Sequence, residues 1–181
     1  MPKEISDRVL AIAESATLAV DAKAKALKAQ GRPVIGFGAG EPDFPTPAHI
    51  VAAAQKAASE VSNHRYSPTP GLQLLREAIA KAVTRDDGLE FKADEVVVTN
   101  GGKQAIFNTM ATLINPGDEV LYPNPGYPIY ESQIEYFGGV AIPYRYVPTG
   151  IGFSIDLDQI KSAITTKTKA IIFDDLQNPN G

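Results

Sequence analysis

The sequence contains no cysteine, only two histidines and no long run of apolar residues. Without cysteine there can be no disulfide framework, no thiolate nucleophile and no zinc site built on cysteine. The two histidines, His49 and His64, are well separated along the chain and argue against a histidine-based metal site. No apolar run reaches the length of a membrane span, and the N-terminus lacks the basic and then apolar pattern of a signal peptide. We therefore predict a cytoplasmic protein with no membrane partner.

The rest of the composition is typical of a globular protein. The chain has 181 residues, of which 44% are hydrophobic and 21% are charged. That length is enough for one good core, or for one domain with an appendage. The net charge is -4 and no basic stripe stands out. Because nucleic-acid-binding proteins usually carry such a stripe, we expect no nucleic-acid partner.

The stretch from Asp94 to Ile114 carries the clearest indication of a ligand site. A β-branched run at 95–99 is typical of a buried strand, and Gly101 and Gly102 then break the extended pattern. From Lys103 onward, apolar residues recur at helical spacing. The first N–H groups of such a helix have no intrahelical partner and suit a phosphate, to which Lys103 adds a positive charge. The alternative is an ordinary tight turn between a strand and a helix, and these residues alone leave both open.

Strands and helices alternate along the rest of the chain. The patterns predict strands at 32–37, 95–99, 119–122, 141–146 and 169–173, with a hairpin or loop at 149–153. They predict helices at 5–30, 47–61, 72–85, 103–114, 131–138 and 156–164, with Thr46 and Asp156 as N-caps of the second and the last. Because Ser15 and Thr17 interrupt the first of these, an irregular arm followed by a helix from about Val20 is its alternative. This alternation predicts an α/β protein with a mainly parallel, doubly wound sheet.

A second glycine-rich stretch, at 36–42, superficially resembles a dinucleotide-binding fingerprint. That fingerprint must open a helix, whereas Pro42, Pro45 and Pro47 follow here. We therefore reject this interpretation. The loop can still expose backbone N–H groups to a ligand, above all at Gly40.

Five motifs occur in the order that is found in one known family. They are FGAGEPDFPTP, HRYSPTPGL, VTNGGKQAIFN, NPGDEVLYPNPGYPIY and the closing NPNG. With them, the chain resembles the first part of a fold type I, class I aminotransferase of the aspartate aminotransferase group, which depends on pyridoxal 5'-phosphate (PLP). The resemblance implies an N-terminal arm and small-domain segment at 1–45, followed at 46–181 by the first part of the PLP-binding large domain.

The resemblance also implies which residues hold the cofactor. Gly101, Gly102 and Lys103 match the loop that binds the PLP phosphate. Tyr127 matches the aromatic residue that stacks on the pyridine ring, where many relatives have tryptophan. Asn178 matches the asparagine that donates a hydrogen bond to the phenolic oxygen of the cofactor.

Two further positions match residues that reach the neighbouring subunit or the substrate. Tyr66 resembles the tyrosine that contacts the cofactor phosphate of the partner in a homodimer. Gly40 matches a loop position whose N–H group faces the substrate carboxylate. The implied activity is transfer of an amino group from an aspartate-like amino acid to a 2-oxo acid.

The departures from the family pattern limit what can be assigned. Asn180 stands where the family usually has threonine, and the preceding DDLQ differs from the common run, so the donor amino acid is left open. The family's covalent lysine, its aspartate for the pyridine nitrogen and its arginine for the substrate carboxylate would all lie beyond Gly181. We therefore assign no catalytic residue, interpret the chain as truncated and expect these 181 residues alone to be inactive. Three alternatives stay open. The protein could be a lyase or amino-acid oxidase of the same fold, a non-catalytic fragment, or one half of a split enzyme that needs a missing C-terminal segment or chain.

Overall fold

The computed structural model describes residues 4–12, 16–38, 40 and 42–180. They form two compact units, one from Met1–Ser15 with Asn100–Gly181 and the other from Ala16–Thr99. The division at residue 45 that the resemblance implies stays a prediction. Along the described residues, the helices are α1 (Asp7–Leu10), α2 (Ala16–Ala29), α3 (Ala48–Ser59), α4 (Gln73–Asp87), α5 (Gly102–Leu113), α6 (Ile129–Tyr136) and α7 (Leu157–Ala163). The strands are β1 (Glu119–Pro123), β2 (Val140–Tyr144), β3 (Tyr146–Thr149), β4 (Gly152–Ile155) and β5 (Thr168–Ile171).

The unit from Ala16 to Thr99 is built on helices α2, α3 and α4. Helix α3 begins one residue later than predicted, because the carbonyl of Pro47 accepts hydrogen bonds from the N–H groups of Ile50 (2.9 Å) and Val51 (3.2 Å). Pro47 is therefore the N-cap, and the assignment of Thr46 to that position was wrong. Helix α4 ends where Gly88 adopts the left-handed conformation, with φ of 70°, that favours glycine after a helix.

The two strands predicted in this unit do not form. Residues 32–37 are irregular, and Ala93–Glu95 form a 3-10 turn that leads into an extended segment outside any sheet. Among the described residues, isolated hydrogen bonds hold this segment, and it takes no part in the hydrogen-bond ladder of a sheet. The N–H group of Val98 donates to the carbonyl of Pro70 (2.9 Å), and Arg76 Nε donates to the carbonyl of Val96 (2.8 Å). The β-branched run indicated extended backbone correctly, but a strand also requires a neighbouring strand.

The other unit contains a three-stranded parallel sheet in the order β2-β1-β5. Strand β1 lies in the centre, and helix α6 carries the chain from β1 to β2 on one side. The chain then passes through the antiparallel β3–β4 hairpin and helix α7 to reach β5 on the other side of β1. The strand order therefore reverses at β1.

Alternating side chains of β1 build a core on each face of this sheet. Val120 and Tyr122 pack with residues of α5 and α6, namely Met110, Tyr130 and Ile134. Leu121 packs on the opposite face with Tyr144 of β2 and Ile160 of α7. Each fully buried side chain of this kind contributes about 1.5–3 kcal/mol to stability. Helices thus cover both faces, which confirms the prediction of a parallel, doubly wound sheet.

Two features between β2 and β5 follow from short sequence patterns, namely the turn of the hairpin and the start of α7. The segment 149–153, predicted as a hairpin or loop, contains the turn of the β3–β4 hairpin, in which Thr149 pairs with Gly152. Helix α7 begins after Asp156, whose Oδ1 accepts hydrogen bonds from the N–H groups of Asp158 and Gln159, both at 3.0 Å. Asp156 is therefore the N-cap that the sequence predicted. Across the described ranges, no helix is both long enough and apolar enough to span a membrane.

Candidate active site

The reversal of strand order at β1 marks the place where a ligand site is expected. In open parallel sheets, ligands bind outside the carboxyl ends of the strands at the switch point, where the strand order reverses. Here the order reverses between β1 and β5, which pair directly. The segment after β1 carries Tyr127, and the segment after β5 carries Asn178. The fold therefore brings the segments of these two predicted site residues to the same edge of the sheet.

A buried glutamine joins these two segments. Gln177 is 6% exposed. Its Nε2 donates to the carbonyl of Pro125 at 2.9 Å and to the carbonyl of Asn178 at 2.7 Å. Its Oε1 accepts a hydrogen bond from the N–H group of Asn180 at 2.9 Å. Both ends of the side-chain amide are satisfied by backbone groups on either side of the switch point.

The ring of Tyr127 is half-buried and lies edge-on to Tyr130, with ring centroids 5.8 Å apart. Tyr127 packs against the same apolar cluster as Ile106, which lies one helical turn after Gly102. The preceding residue has to be glycine, because a Cβ at Gly126 would collide with the carbonyl oxygen of Pro123. The position of the Tyr127 ring therefore depends on Gly126 and on the packing beneath the ring.

The N-terminus of α5 offers open space to an anion. Gly101 is the N-cap, with φ of 83°, and a Cβ at either Gly101 or Gly102 would meet no atom within 4 Å. Because the N-cap is a glycine, it has no side chain that could accept hydrogen bonds from the first N–H groups of the helix, beginning with that of Gly102. Lys103 is exposed and forms no salt bridge with any residue that the structure describes. Gln104 folds back, and its Oε1 accepts a hydrogen bond from the N–H group of Asn100 at 2.7 Å.

Asn178 presents its side chain at the same edge. The N–H group of Asn178 donates to Oδ2 of Asp174 at 3.3 Å, which holds the backbone. Its carboxamide is exposed and has no hydrogen-bond partner within the described part of the chain. Asp174 also lies near the phenol of Tyr130, whose pKa is raised to about 12 by burial and by the negative charge of Asp174. The Tyr130 phenol therefore stays neutral at physiological pH.

Tyr66 and Gly40 lie in the other unit. Tyr66 is fully exposed. The turn before it is fastened to the end of α3, where Asn63 Nδ2 donates to the carbonyl of Ala57 and the His64 ring bonds to the carbonyl of Ala58, both at 2.9 Å. Gly40 is exposed, and a Cβ there would meet no atom within 4 Å. The structure thus gathers the predicted cofactor residues other than Tyr66 into one unit, while Tyr66 presents its ring to solvent.

Sequence reasoning missed three residues of this site: Gly126, Asp174 and Gln177. Gly126 could have been noticed as a glycine held between Pro125 and an aromatic residue. Asp174 and Gln177 belong to the unusual DDLQ run, but their contacts join segments that are far apart in the chain. No local pattern indicates such contacts.

Comparison with known proteins agrees with this arrangement. The sequence pattern of the family described as aminotransferase class I and II matches residues 32–181. The chain is 52% identical to an aspartate aminotransferase of Streptomyces avermitilis over 99% of its own length and 44% of that protein. It is 50% identical to a probable aspartate aminotransferase of Streptomyces griseus, again over 99% of its length and over 83% of the relative.

A solved structure shows the same fold. A variant of the Thermus thermophilus aspartate aminotransferase superimposes with a TM-score of 0.91 at 39% identity, over 99% of this chain and 47% of the other. The chain therefore belongs to the class I and II aminotransferases, as the resemblance implied. It spans about half the length of most of the relatives that it matches. Aspartate aminotransferases use PLP as their cofactor.

The residues at the switch point fit that cofactor. PLP combines a phosphate dianion with a flat pyridine ring that carries a phenolic oxygen. The open helix N-terminus suits the phosphate, and so does the Lys103 ammonium, which forms no salt bridge within the described ranges. The Tyr127 ring offers a face for stacking, and the Asn178 carboxamide offers a donor for the phenolic oxygen.

Proposed function

We propose that the whole protein is a PLP-dependent aminotransferase that moves an amino group from an aspartate-like amino acid to a 2-oxo acid. The observation that carries the proposal is the set of groups at the switch point. The N-terminus of α5 has open space at its glycines, and the same unit carries the Tyr127 ring and the Asn178 carboxamide, for which the described residues provide no hydrogen-bond partner. The names of the relatives support aspartate as the donor and transamination as the reaction.

In this proposal the residues of the chain bind and orient the cofactor. The N–H groups at Gly102 and Lys103, with the Lys103 ammonium, hold the phosphate and so fix one end of the ring. Tyr127 stacks on the ring, and Asn178 donates to the phenolic oxygen. PLP itself supplies a ring that accepts the electron pair released from the α-carbon of an amino acid.

The substrate side of the site rests on fewer residues. Gly40 is proposed to direct its N–H group at the α-carboxylate of the substrate, and its open surroundings leave room for that contact. Asn180 replaces the usual threonine of the closing motif, and its N–H group is already bonded to Gln177. The preferred donor is therefore to be determined by experiment rather than by the motif.

A homodimer is part of the proposal, because Tyr66 is proposed to reach the phosphate of the partner's cofactor. Its complete exposure, on a turn fastened to α3, supports a role outside its own unit. In the dimeric protein, Tyr66→Phe should raise the Kd for PLP about tenfold, the value of one hydrogen bond to a charged group, and leave the dimer intact. Equilibrium dialysis and sedimentation velocity measure the two effects. An unchanged Kd would remove Tyr66 from the site.

The function is tested by adding PLP and pairs of amino and 2-oxo acids to the whole protein. Transamination yields a new amino acid and a new 2-oxo acid in equal amounts, with aspartate and 2-oxoglutarate as the expected pair. Release of ammonia without a new amino acid would indicate a lyase. Consumption of oxygen would indicate an oxidase, and failure to bind PLP would refute the proposal. Cytoplasmic location stays a prediction that fractionation can test.

A further inference from the structure

We propose that Gln177 is a positioning residue that sets the Tyr127 ring and the Asn178 carboxamide at a fixed distance from each other. The inference rests on the proposed function, in which those two groups contact the cofactor ring. Gln177 itself touches neither the cofactor nor the substrate in this proposal. It acts by tying together the two backbone segments that carry the contact residues.

The first argument is the burial of an amide where packing alone would favour an apolar side chain. Burying an amide is favourable only when its polar atoms are hydrogen-bonded. Gln177 meets this condition with three bonds to backbone groups, two from Nε2 and one to Oε1. A leucine of similar volume would fill the space and make none of them. The amide is therefore used for its geometry.

The second argument is the location of the three partners. Pro125 lies two residues before Tyr127, while Asn178 is the second proposed contact residue and Asn180 follows it by two. One planar amide thus fixes the backbone next to both contact residues. Because the donor and acceptor ends point in set directions, a shift of either segment must break a bond.

The third argument concerns what else holds the segment after β1. Its start is fastened to β2, where the N–H group of Asn124 donates to the carbonyl of Tyr144 at 2.8 Å. On the segment after β5, the N–H group of Asn178 donates to Oδ2 of Asp174 at 3.3 Å. Each of these two bonds secures one segment, whereas the bond from Gln177 Nε2 to the carbonyl of Pro125 ties the segment after β1 to the segment after β5. Loss of the Gln177 amide should therefore loosen the ring and the carboxamide while the sheet and the phosphate end keep their places.

The experiment uses the whole protein with PLP and compares Gln177→Leu, Gln177→Glu and a matched control, Gln159→Leu. Gln177→Glu keeps an oxygen that can accept the hydrogen bond from Asn180. It replaces the Nε2 donor with a second oxygen, which faces the carbonyl oxygens of Pro125 and Asn178. Gln159 also accepts a backbone hydrogen bond, from the N–H group of Arg145 at 2.7 Å, at a position outside the site. The readouts are the Kd for PLP, the visible circular dichroism of the bound cofactor, its pH dependence, and the Tm without cofactor.

Both Gln177 variants should raise the Kd for PLP about tenfold, as expected when buried carbonyls lose their donors. They should also reduce the visible circular dichroism and shift the pH dependence of the cofactor spectrum, because the ring and its phenolic oxygen lose their fixed neighbours. Gln159→Leu should leave the Kd for PLP, the visible circular dichroism and the pH dependence of the spectrum unchanged. The effect of Gln177→Leu should be smaller when Asn178→Ala is already present, since the part that acts through the Asn178 carboxamide is then already lost.

The outcomes separate this inference from the proposed function. Normal PLP binding and an unchanged spectrum in Gln177→Leu overturn the positioning role and leave the proposed function standing. Absence of PLP binding by the unaltered protein overturns the proposed function and the positioning role with it. If Gln177→Leu does not fold, Gln177→Glu decides, and failure of both to fold would show that Gln177 serves the fold rather than the site.

Discussion

Replacing Gly126 with alanine tests how the Tyr127 segment is built. A Cβ at this position would collide with the carbonyl oxygen of Pro123 and lie 3.1 Å from both its carbonyl carbon and its Cγ. Pro123 is fully buried at the end of β1 and is paired with Tyr144 of β2, so it cannot move cheaply. The segment after β1 has to shift instead, and Tyr127 is the next residue along it.

The magnitude follows from the cost of an added methyl group in a packed site. Overpacking of this kind costs about 1–3 kcal/mol, and in a chain of this size each kcal/mol lowers the Tm by about 2–4 °C. We expect Gly126→Ala to lower the Tm by roughly 2–12 °C without cofactor. Its Kd for PLP should rise about tenfold as well, since the ring is displaced from the stacking position.

The assay pairs thermal unfolding with PLP titration and uses Gly152→Ala as the control. A Cβ at Gly152 would meet no atom within 4 Å, and this glycine lies in β4 of the same unit. The control should stay within about 0.5 kcal/mol of the unaltered protein, as is usual for surface changes. If Gly126→Ala behaves like Gly152→Ala in both measurements, the described path of the chain through Gly126 is refuted.

Two further changes test the electrostatics of the site. Lys103→Met should raise the Kd for PLP about tenfold at low salt and less at high salt, because an exposed charge is screened; Lys169→Met, also exposed, is the control, and equal effects of the two changes would contradict a local role. Burial raises the pKa of Tyr130 from the usual 10.0 to about 12. The neutral phenol therefore contributes fully to stability below pH 10, and this contribution is lost as the pH rises towards 12. The free energy of unfolding should therefore fall by up to about 1.4 kcal/mol per pH unit in this range from Tyr130. Tyr130→Phe should flatten that slope in urea unfolding series, and an identical slope in both proteins would refute the assignment.

Much of the parallel-sheet unit could be predicted because its signals are local. Asp156 caps α7 through its own side chain, and Gly101 and Gly102 mark the start of α5. The alternation of strands and helices was sufficient to predict a doubly wound sheet. The failures in the other unit, at 32–37 and 95–99, have a common cause, since extended backbone becomes a strand only when another strand lies beside it.

The candidate site divides in the same way. The residues alone left a phosphate site and an ordinary turn open before α5, and the family resemblance favoured the phosphate site and added Tyr127 and Asn178 as predictions. Gln177 could not be found by either route. Its bond to Pro125 spans 52 residues of sequence, and only the pairing of β1 with β5 brings the two together.

The order β2-β1-β5 also has a consequence for how this unit folds. Strand β1 can pair with β2 by closing a loop that contains only α6, whereas pairing with β5 requires a loop that includes β2, the hairpin and α7. Longer loops lose more chain entropy on closure and form later. We therefore expect β1, α6 and β2 to assemble first and β5 to dock last. The candidate site at the carboxyl ends of β1 and β5 would then be completed in the final step, so the unit would gain affinity for a ligand only once the rest of it is already folded.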